Sequence, residues 1–559
     1  MRPARSVAAD LILTNARVLT MDPDQPRAEA VALAGAGIVA VGAVSDILPL
    51  AGPATRVIDA GGRSLLPGFV ESHMHLFAGG AELAQLQLAG VRGEGALSAL
   101  VRDYAAARRD RVILGQGADY AMLGGGPITR EALDRVCPDR PLLIAAMDHH
   151  TMWANTAALA GAGILQGLAT PPGSEVVMGR DGLASGELRE AAAFGPVLRY
   201  AGADRARLGL DTGGEPEVPP TAAERATDKA AIRAGLAHAA RHGVTSITNM
   251  DGNLYTLDLL AEIEAEGELT ARVKVPFHFK NHMELAALDV ASAMAARWQG
   301  DWLTSGMVKL FMDGVVESRT ALMLGDYADQ PGWRGAALFG ADRFARIAVE
   351  ADRRGLQIAV HAIGDGAVRR VLDGYDAVMV ANGRRDSRHR VEHVELIDPA
   401  DIPRFGAMGV VAAMQPPHVP GAMDFPAEPA LTRFGRARWG DTYVWAALMA
   451  AGADICFASD WPVSDINPLR GIQAALTRRP WATGLPDHRI GLMATLKAYT
   501  SGGAYSAHRE HRTGMIRAGH LGDLVLLSGD IEAVAPGDIA GLAVDLTICG
   551  GRVTHGGEA

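Results

Sequence analysis

Cysteine is scarce. Cys137, Cys456 and Cys549 lie far apart among 559 residues and form no C-x-x-C pair. That excludes a disulfide framework and a paired-thiolate metal site, and makes a reducing cytoplasm the expected compartment. Basic charge is also in short supply: 53 Lys and Arg face 64 Asp and Glu, a formal net charge of -11. A nucleic-acid binder normally shows a basic footprint, so nucleic acid is not an expected partner. Long hydrophobic runs are missing too. The apolar stretch near the start breaks at Thr14 and Asn15, too short for a signal-peptide core, and no other run approaches a membrane span. Low complexity is absent: 66 Gly and 29 Pro are spread along the chain, as turns and βα loops require.

What remains is ordinary globular composition, 48% hydrophobic and 21% charged. The length suits three or four average domains, or one barrel of the kind that runs long as a single unit. The first 60 or so residues read as short strands, and the C-terminal runs "GHLGDLVLLSG" and "VDLTICGGRVTHGG" have the same character. Between the ends, eight strand-like runs recur: "LLPGFVESHMH", "GVTSITNMDG", "ARVKVPFHF", "GMVKLFMDG", "LQIAVHAIGDG", "HRVEHVEL", "GVVAAMQPPH" and "ADICFASDWP". Helical segments separate several of them, one opening with a capping box at Thr221 and Glu224. Eight strands alternating with helices predict an α/β fold, a (β/α)8 TIM-type barrel. One stretch, about 77–220, is too long for a single βα connection and reads as an insertion after barrel strand 1, over the barrel mouth. The expected division is 1–64 with 512–559 as a small composite β-sandwich domain, and 65–511 as the barrel.

Polar residues gather at the ends of these runs, where barrel enzymes place their chemistry. His73 and His75 are two apart, so they share a face of the first strand. Lys309, His361, His393 and Asp460 follow on strands four, five, six and eight. A lone histidine in an apolar strand is usually a satisfied core residue, and an aspartate in "FASDWP" could cap a turn. A lysine inside "MVKLF" is harder to dismiss, because lysine is almost never buried without a partner or a task. Six costly residues at matching ends of five strands are not an accident. Imidazole and carboxylate suit a divalent transition metal, most often zinc, which activates water and polarises a carbonyl. A carboxylate beside it, Asp460, can move the water's proton to a leaving group.

The ordered motifs "PGFVESHMH", "HHTMWANTAAL", "VKLFMDGVVESRTALM", "VHAIGDGAV", "RVEHVEL", "MQPPH" and "SDWPV" resemble the amidohydrolase superfamily. The likeness extends over nearly the whole chain to its amidohydrolase-3 or YtcJ-like branch, which includes N-substituted formamide deformylase. The resemblance implies that His73 and His75 bind one metal, His361 and His393 a second, and that Asp460 is both ligand and base. It places Lys309 where the superfamily carries a carboxylated lysine bridging two metals, one or two ions being expected. It also makes His150, with Trp153 in the family's "H-x-x-W-x-N" element, a candidate contact of a small-molecule substrate. Asp313 and Arg319 are candidates too, or pair with each other. By position, Gln415 and His418 beyond strand seven line the mouth, and Trp461 after Asp460 is either pocket wall or plain packing. His242, His278, His282, His508 and His511 are assigned no role. The expected activity is hydrolysis of an amide or N-acyl C–N bond. Rivals are an ester, carbamate or lactone hydrolase on the same site, or a non-catalytic binding barrel. No membrane partner is expected, and a homodimer is the assembly considered.

Overall fold

The computed structural model describes residues 8–171, 173–423 and 425–557. Its centre is a run of parallel strands whose residues are buried on both faces, which explains the near-continuous apolar sequence of each. We label them β1 (Phe69–Met74), β2 (Val244–Asn249), β3 (Arg272–Lys274), β4 (Met307–Phe311), β5 (Gln357–Ala362), β6 (Arg390–His393), β7 (Val411–Met414) and β8 (Asp454–Phe457). β1 pairs with β2 and β2 with β3; β4 to β8 pair successively, all in parallel.

The third strand is not continuous, as the run "ARVKVPFHF" had suggested. β3 stops at Lys274 and resumes as Phe277–His278, because Pro276 has no N–H to give a ladder. The first piece pairs with Leu303–Thr304 and the second with β4, so the chain still passes from one pairing partner to the next. β8 returns to β1 just past its end: Asp460 N–H donates to His73 O at 2.9 Å, and His75 N–H to Trp461 O at 2.7 Å.

Helices cover the sheet's outer face. Ala222–Arg241 starts at the capping box, with Thr221 accepting from Glu224 N–H and the Glu224 carboxylate accepting from Thr221 N–H. Ala341–Arg353 and Asp365–Asn382 follow β4 and β5, turning Phe344, Ile347, Leu372 and Tyr375 into the main apolar core.

Two further layers flank this centre. Strands from both ends of the chain share one six-stranded sheet, in which Leu524–Leu527 runs antiparallel to Ser64–Pro67. It packs through Leu65, Leu524 and Leu526 against Leu11, Leu13 and Val31 of a four-stranded sheet. The segment after β1 builds its own six-stranded sheet, with an apolar cluster around Leu97, Ile113 and Ile144 and another around Leu143, Leu188 and Phe194. No described helix is long and apolar enough to cross a membrane.

Candidate active site

A cavity of about 580 Å³ opens at the carboxyl ends of the parallel strands, with the post-β1 segment forming part of its wall. At its floor, two groups of side chains meet at one carboxylate. His73, His75 and Asp460 form the first, and His393, His418 and Asp460 the second, each with its donor atoms within 4.8 Å of one another.

The two histidines of β1 are held in orientation from behind. His73 Nδ1–H donates to Glu392 at 2.6 Å, and His75 Nδ1 lies 3.2 Å from Asp251. Their Nε2 atoms then face Asp460 Oδ1 at 3.4 and 3.2 Å. Burial, helped by the Lys309 charge, lowers the His73 pKa well below its ordinary value, so its Nε2 presents a lone pair to an oxygen that has no hydrogen-bond partner. Lone pair against carboxylate is unfavourable unless a cation lies between them. For His75 burial works the same way, but Asp251 and Asp460 outweigh it and raise the pKa. Burial also opposes ionisation of Asp460, yet His75, whose own pKa is raised, holds it well below the carboxylate range.

The second group departs from expectation. His393 Nδ1–H donates to Gln415 Oε1 at 2.9 Å, and His418 brings a buried, unpartnered Nε2 to 4.0 Å from Asp460. His361 lies outside both groups, although its ring is 4.5 Å from that of His393; its Nε2–H donates to Gly314 O at 3.1 Å. Lys309 is fully buried and its Nζ has no hydrogen-bond partner, with the Phe311 ring 4.9 Å away. Burial pulls its pKa down to about 8, against the Glu392 and Asp460 carboxylates. The buried orphan atoms Asp460 Oδ1, His418 Nε2 and Lys309 Nζ, set among imidazoles and a carboxylate, fit a divalent metal.

The backbone is strained here. His393, Val394 and Asp460 all have positive φ, at 77°, 49° and 60°. Non-glycine residues pay for this conformation, and such positions cluster where geometry is functional.

Several expected substrate contacts lie elsewhere. Trp153 is buried in the six-stranded sheet of the segment after β1, edge-on to Tyr120 at 5.1 Å, because its strand turns that face into that segment's own apolar cluster. Arg319 does not reach Asp313; it pairs with Asp329 at 2.6 Å. Asp313 does border the cavity, but its carboxylate accepts from Leu322, Ile363 and Gly364 N–H, a strand-end clamp. Burial lifts its pKa to about 7 in spite of those bonds. Gln415 stands behind His393 and does not line the cavity. Trp461 packs down onto Gly79, where an added Cβ would come within 2.4 Å of the ring. His282, given no role above, lies on the cavity wall.

His150 lies on the cavity wall, 5.8 Å from the His361 ring. Its partner was missed: Glu190 Oε2 receives the Nδ1–H at 2.9 Å. Burial pulls the imidazole down but Glu190 lifts it to about 9. Glu392, Asp251 and Glu395 were missed as well. The two acidic residues inside "RVEHVEL" were the available signal for Glu392 and Glu395; Asp251 stands at the end of "GVTSITNMDG", but nothing local marked which side chain it would brace.

Parallel strands with a buried histidine–carboxylate centre at their carboxyl ends define a class, the α/β proteins whose site is assembled from strand-end side chains. The chain belongs to the amidohydrolase family, whose profile matches residues 56–555. Within it the chain stands in the YtcJ-like branch. It is 28% identical to the protein YtcJ of Bacillus subtilis (strain 168), over 96% of this chain and 98% of that one. It is 25% identical to the N-substituted formamide deformylase of Arthrobacter pascens, over 98% of each chain. Among solved structures, an uncharacterized metal-dependent hydrolase from Pyrococcus horikoshii shares the fold with a TM-score of 0.73 at 24% identity, over 94% of this chain and 99% of that one.

Proposed function

We propose that the chain is a metal-dependent hydrolase that cleaves a C–N bond of the amide or N-acyl type. The observation that carries this is Asp460, one buried carboxylate shared by two groups of imidazoles. We read β1 to β8 as one (β/α)8 barrel spanning 65–511, with 77–220 inserted over its mouth and 1–64 plus 512–559 as a composite β-domain.

A divalent ion, zinc by ligand type, would polarise the substrate carbonyl and acidify a water there. His73 and His75 would hold it with Asp460, and His393 with His418 would form the second position. His361 reaches that position only if its ring turns away from Gly314. Glu392 and Asp251 fix the Nδ1 side of the β1 pair, which keeps each Nε2 a donor of electrons. Asp460 is ionised, so it accepts the proton of the attacking water and returns it to the leaving nitrogen. His150, braced by Glu190, offers Nε2 to the substrate from the opposite wall. Phe279, Phe311 and Phe339 line the cavity and keep bulk water from the reacting atoms.

The test is an activity screen of the metal-loaded protein against N-formyl amines, N-acyl amino acids, carbamates, aryl esters and lactones, with metal analysis alongside. Hydrolysis of formamides or N-acyl compounds supports the reading. Preference for esters or lactones moves it to the acyl-oxygen class, and a metal-free, inert protein overturns it.

A further inference from the structure

We propose that the amino-terminal ends of the parallel strands hold a small monovalent anion of chloride size, bound on Lys274. A second cavity, about 30 Å³, lies there, walled by β2, β3 and the strand Leu303–Thr304. Lys274 stands on β3, paired in register with Thr248 on one side and Thr304 on the other. Side chains in register on neighbouring strands share a face, so an ammonium and two hydroxyls point the same way, with Ser246 two residues before Thr248 joining them. Among the described residues, the hydroxyls of Ser246, Thr248 and Thr304 have no hydrogen-bond partner, although all three line the cavity.

Lys274 is 92% buried by its 8% exposure, and Nζ makes one bond, to the neutral Gln357 Oε1 at 2.7 Å. An ammonium has three donors, so two are left. No carboxylate lies within 4.0 Å of it among the described residues. The acid in the wall, Asp301, is taken by Arg512 at 3.0 Å and Arg509 at 3.6 Å. Arg272 is likewise neutralised by Asp523 at 2.8 Å. Burial first, then Arg390, Arg509 and Arg388, press the Lys274 pKa down to about 7, as expected of a cation without a counterion. Buried charges are normally paired, and here the cavity and free donors mark where the missing charge belongs. A single ion of that size fits a cavity of about 30 Å³. The site sits at the opposite end of β5 from His361, away from the chemistry, where barrel features serve stability.

The experiment compares thermal unfolding of the full chain in sodium chloride or bromide with sodium gluconate at equal ionic strength. The expected result is a saturable rise in Tm of about 1 °C with the halides, absent in Lys274→Met. Bromide-soaked crystals of the unmutated protein should show an anomalous peak beside Nζ, which decides the matter even if Lys274→Met does not fold. Equal Tm in both salts, an unchanged halide effect in Lys274→Met, or density that is water only would overturn the site.

Discussion

Glu190 Oε2 sits 2.9 Å from His150 Nδ1, and the same carboxylate accepts from Thr320 in the loop after β4 at 3.2 Å. One side chain therefore joins the histidine of the segment after β1 to the loop after β4. Glu190 has φ of 62°, and His149, beside the histidine it braces, has 61°. Strain on both sides of the contact indicates that the surrounding structure holds the imidazole at a set angle.

Replacing His150 by alanine should therefore lower kcat/KM by roughly a hundredfold while metal content stays unchanged, as loss of a substrate-positioning contact would. Glu190→Gln keeps the shape but reverses part of the hydrogen bond; a loss of about tenfold, near 1.4 kcal/mol, is expected. Steady-state kinetics with metal analysis checks both. Loss of metal in His150→Ala would show that His150 is itself a ligand.

Asp460→Asn tests the shared carboxylate. The amide is nearly isosteric, so the fold and much of the metal should persist while turnover falls by a hundredfold or more, roughly the contribution of a general base. Near-normal turnover in a metal-replete variant would remove Asp460 from the role of base.

Why these residues could be seen in advance and others could not follows from where each signal resides. His73, His75, Lys309 and Asp460 each interrupt or end an apolar run, so their cost is visible locally. His418 also ends such a run, but its approach to Asp460 depends on the turn Pro416–His418 folding back over β7. Glu190 is 40 residues from His150, and only the sheet of the segment after β1 brings them together: Glu190 N–H donates to His150 O at 2.8 Å. Trp153 and Arg319 misled because motif position says nothing about which way a side chain turns. The split of the third strand was written in Pro276.

Acid stability gives a prediction remote from the chemistry. Asp352 is buried and accepts from Ser387 Oγ at 2.6 Å, Arg385 at 2.7 Å, Asn382 at 2.8 Å and His389 Nε2 at 3.1 Å. On its other side His389 Nδ1 accepts from Ile358 N–H at 3.1 Å, so the ring is neutral with its proton on Nε2. Burial lowers the His389 pKa despite Asp352. For Asp352 burial acts upward, but the four donors prevail and lower it from 3.8. Both folded values lie below the unfolded ones, so the unfolded chain binds more protons as pH falls. Stability should begin to decline below about pH 6.5, where unfolded histidine titrates, and decline further below about pH 4 as unfolded aspartate does. Denaturant unfolding between pH 8 and 3 should show a shallower first decline in His389→Gln than in the parent. Identical slopes would mean that His389 does not titrate on unfolding.

Lys309 carries the last prediction. An ammonium repels two divalent cations and has no lone pair to offer them, so it is a poor neighbour for the metal arrangement proposed. Burial has already brought its pKa down to about 8, which exposes a share of neutral amine near neutral pH. That amine can attack carbon dioxide: a new N–C bond forms as one C=O π bond opens, the nitrogen gives up a proton, and a carbamate results whose single negative charge is shared by two oxygens. Its charge would replace a repulsion by an attraction and supply the ligand that His361, turned toward Gly314, does not. Lys309→Ala should therefore lose metal and activity together, and a small added carboxylic acid should restore part of both. Native mass analysis of the parent should show one extra carboxyl group that disappears on acidification. A fully occupied two-metal structure in which Lys309 is unmodified and turned away from both ions would sink the bridge, leaving the lysine as a group that orients substrate.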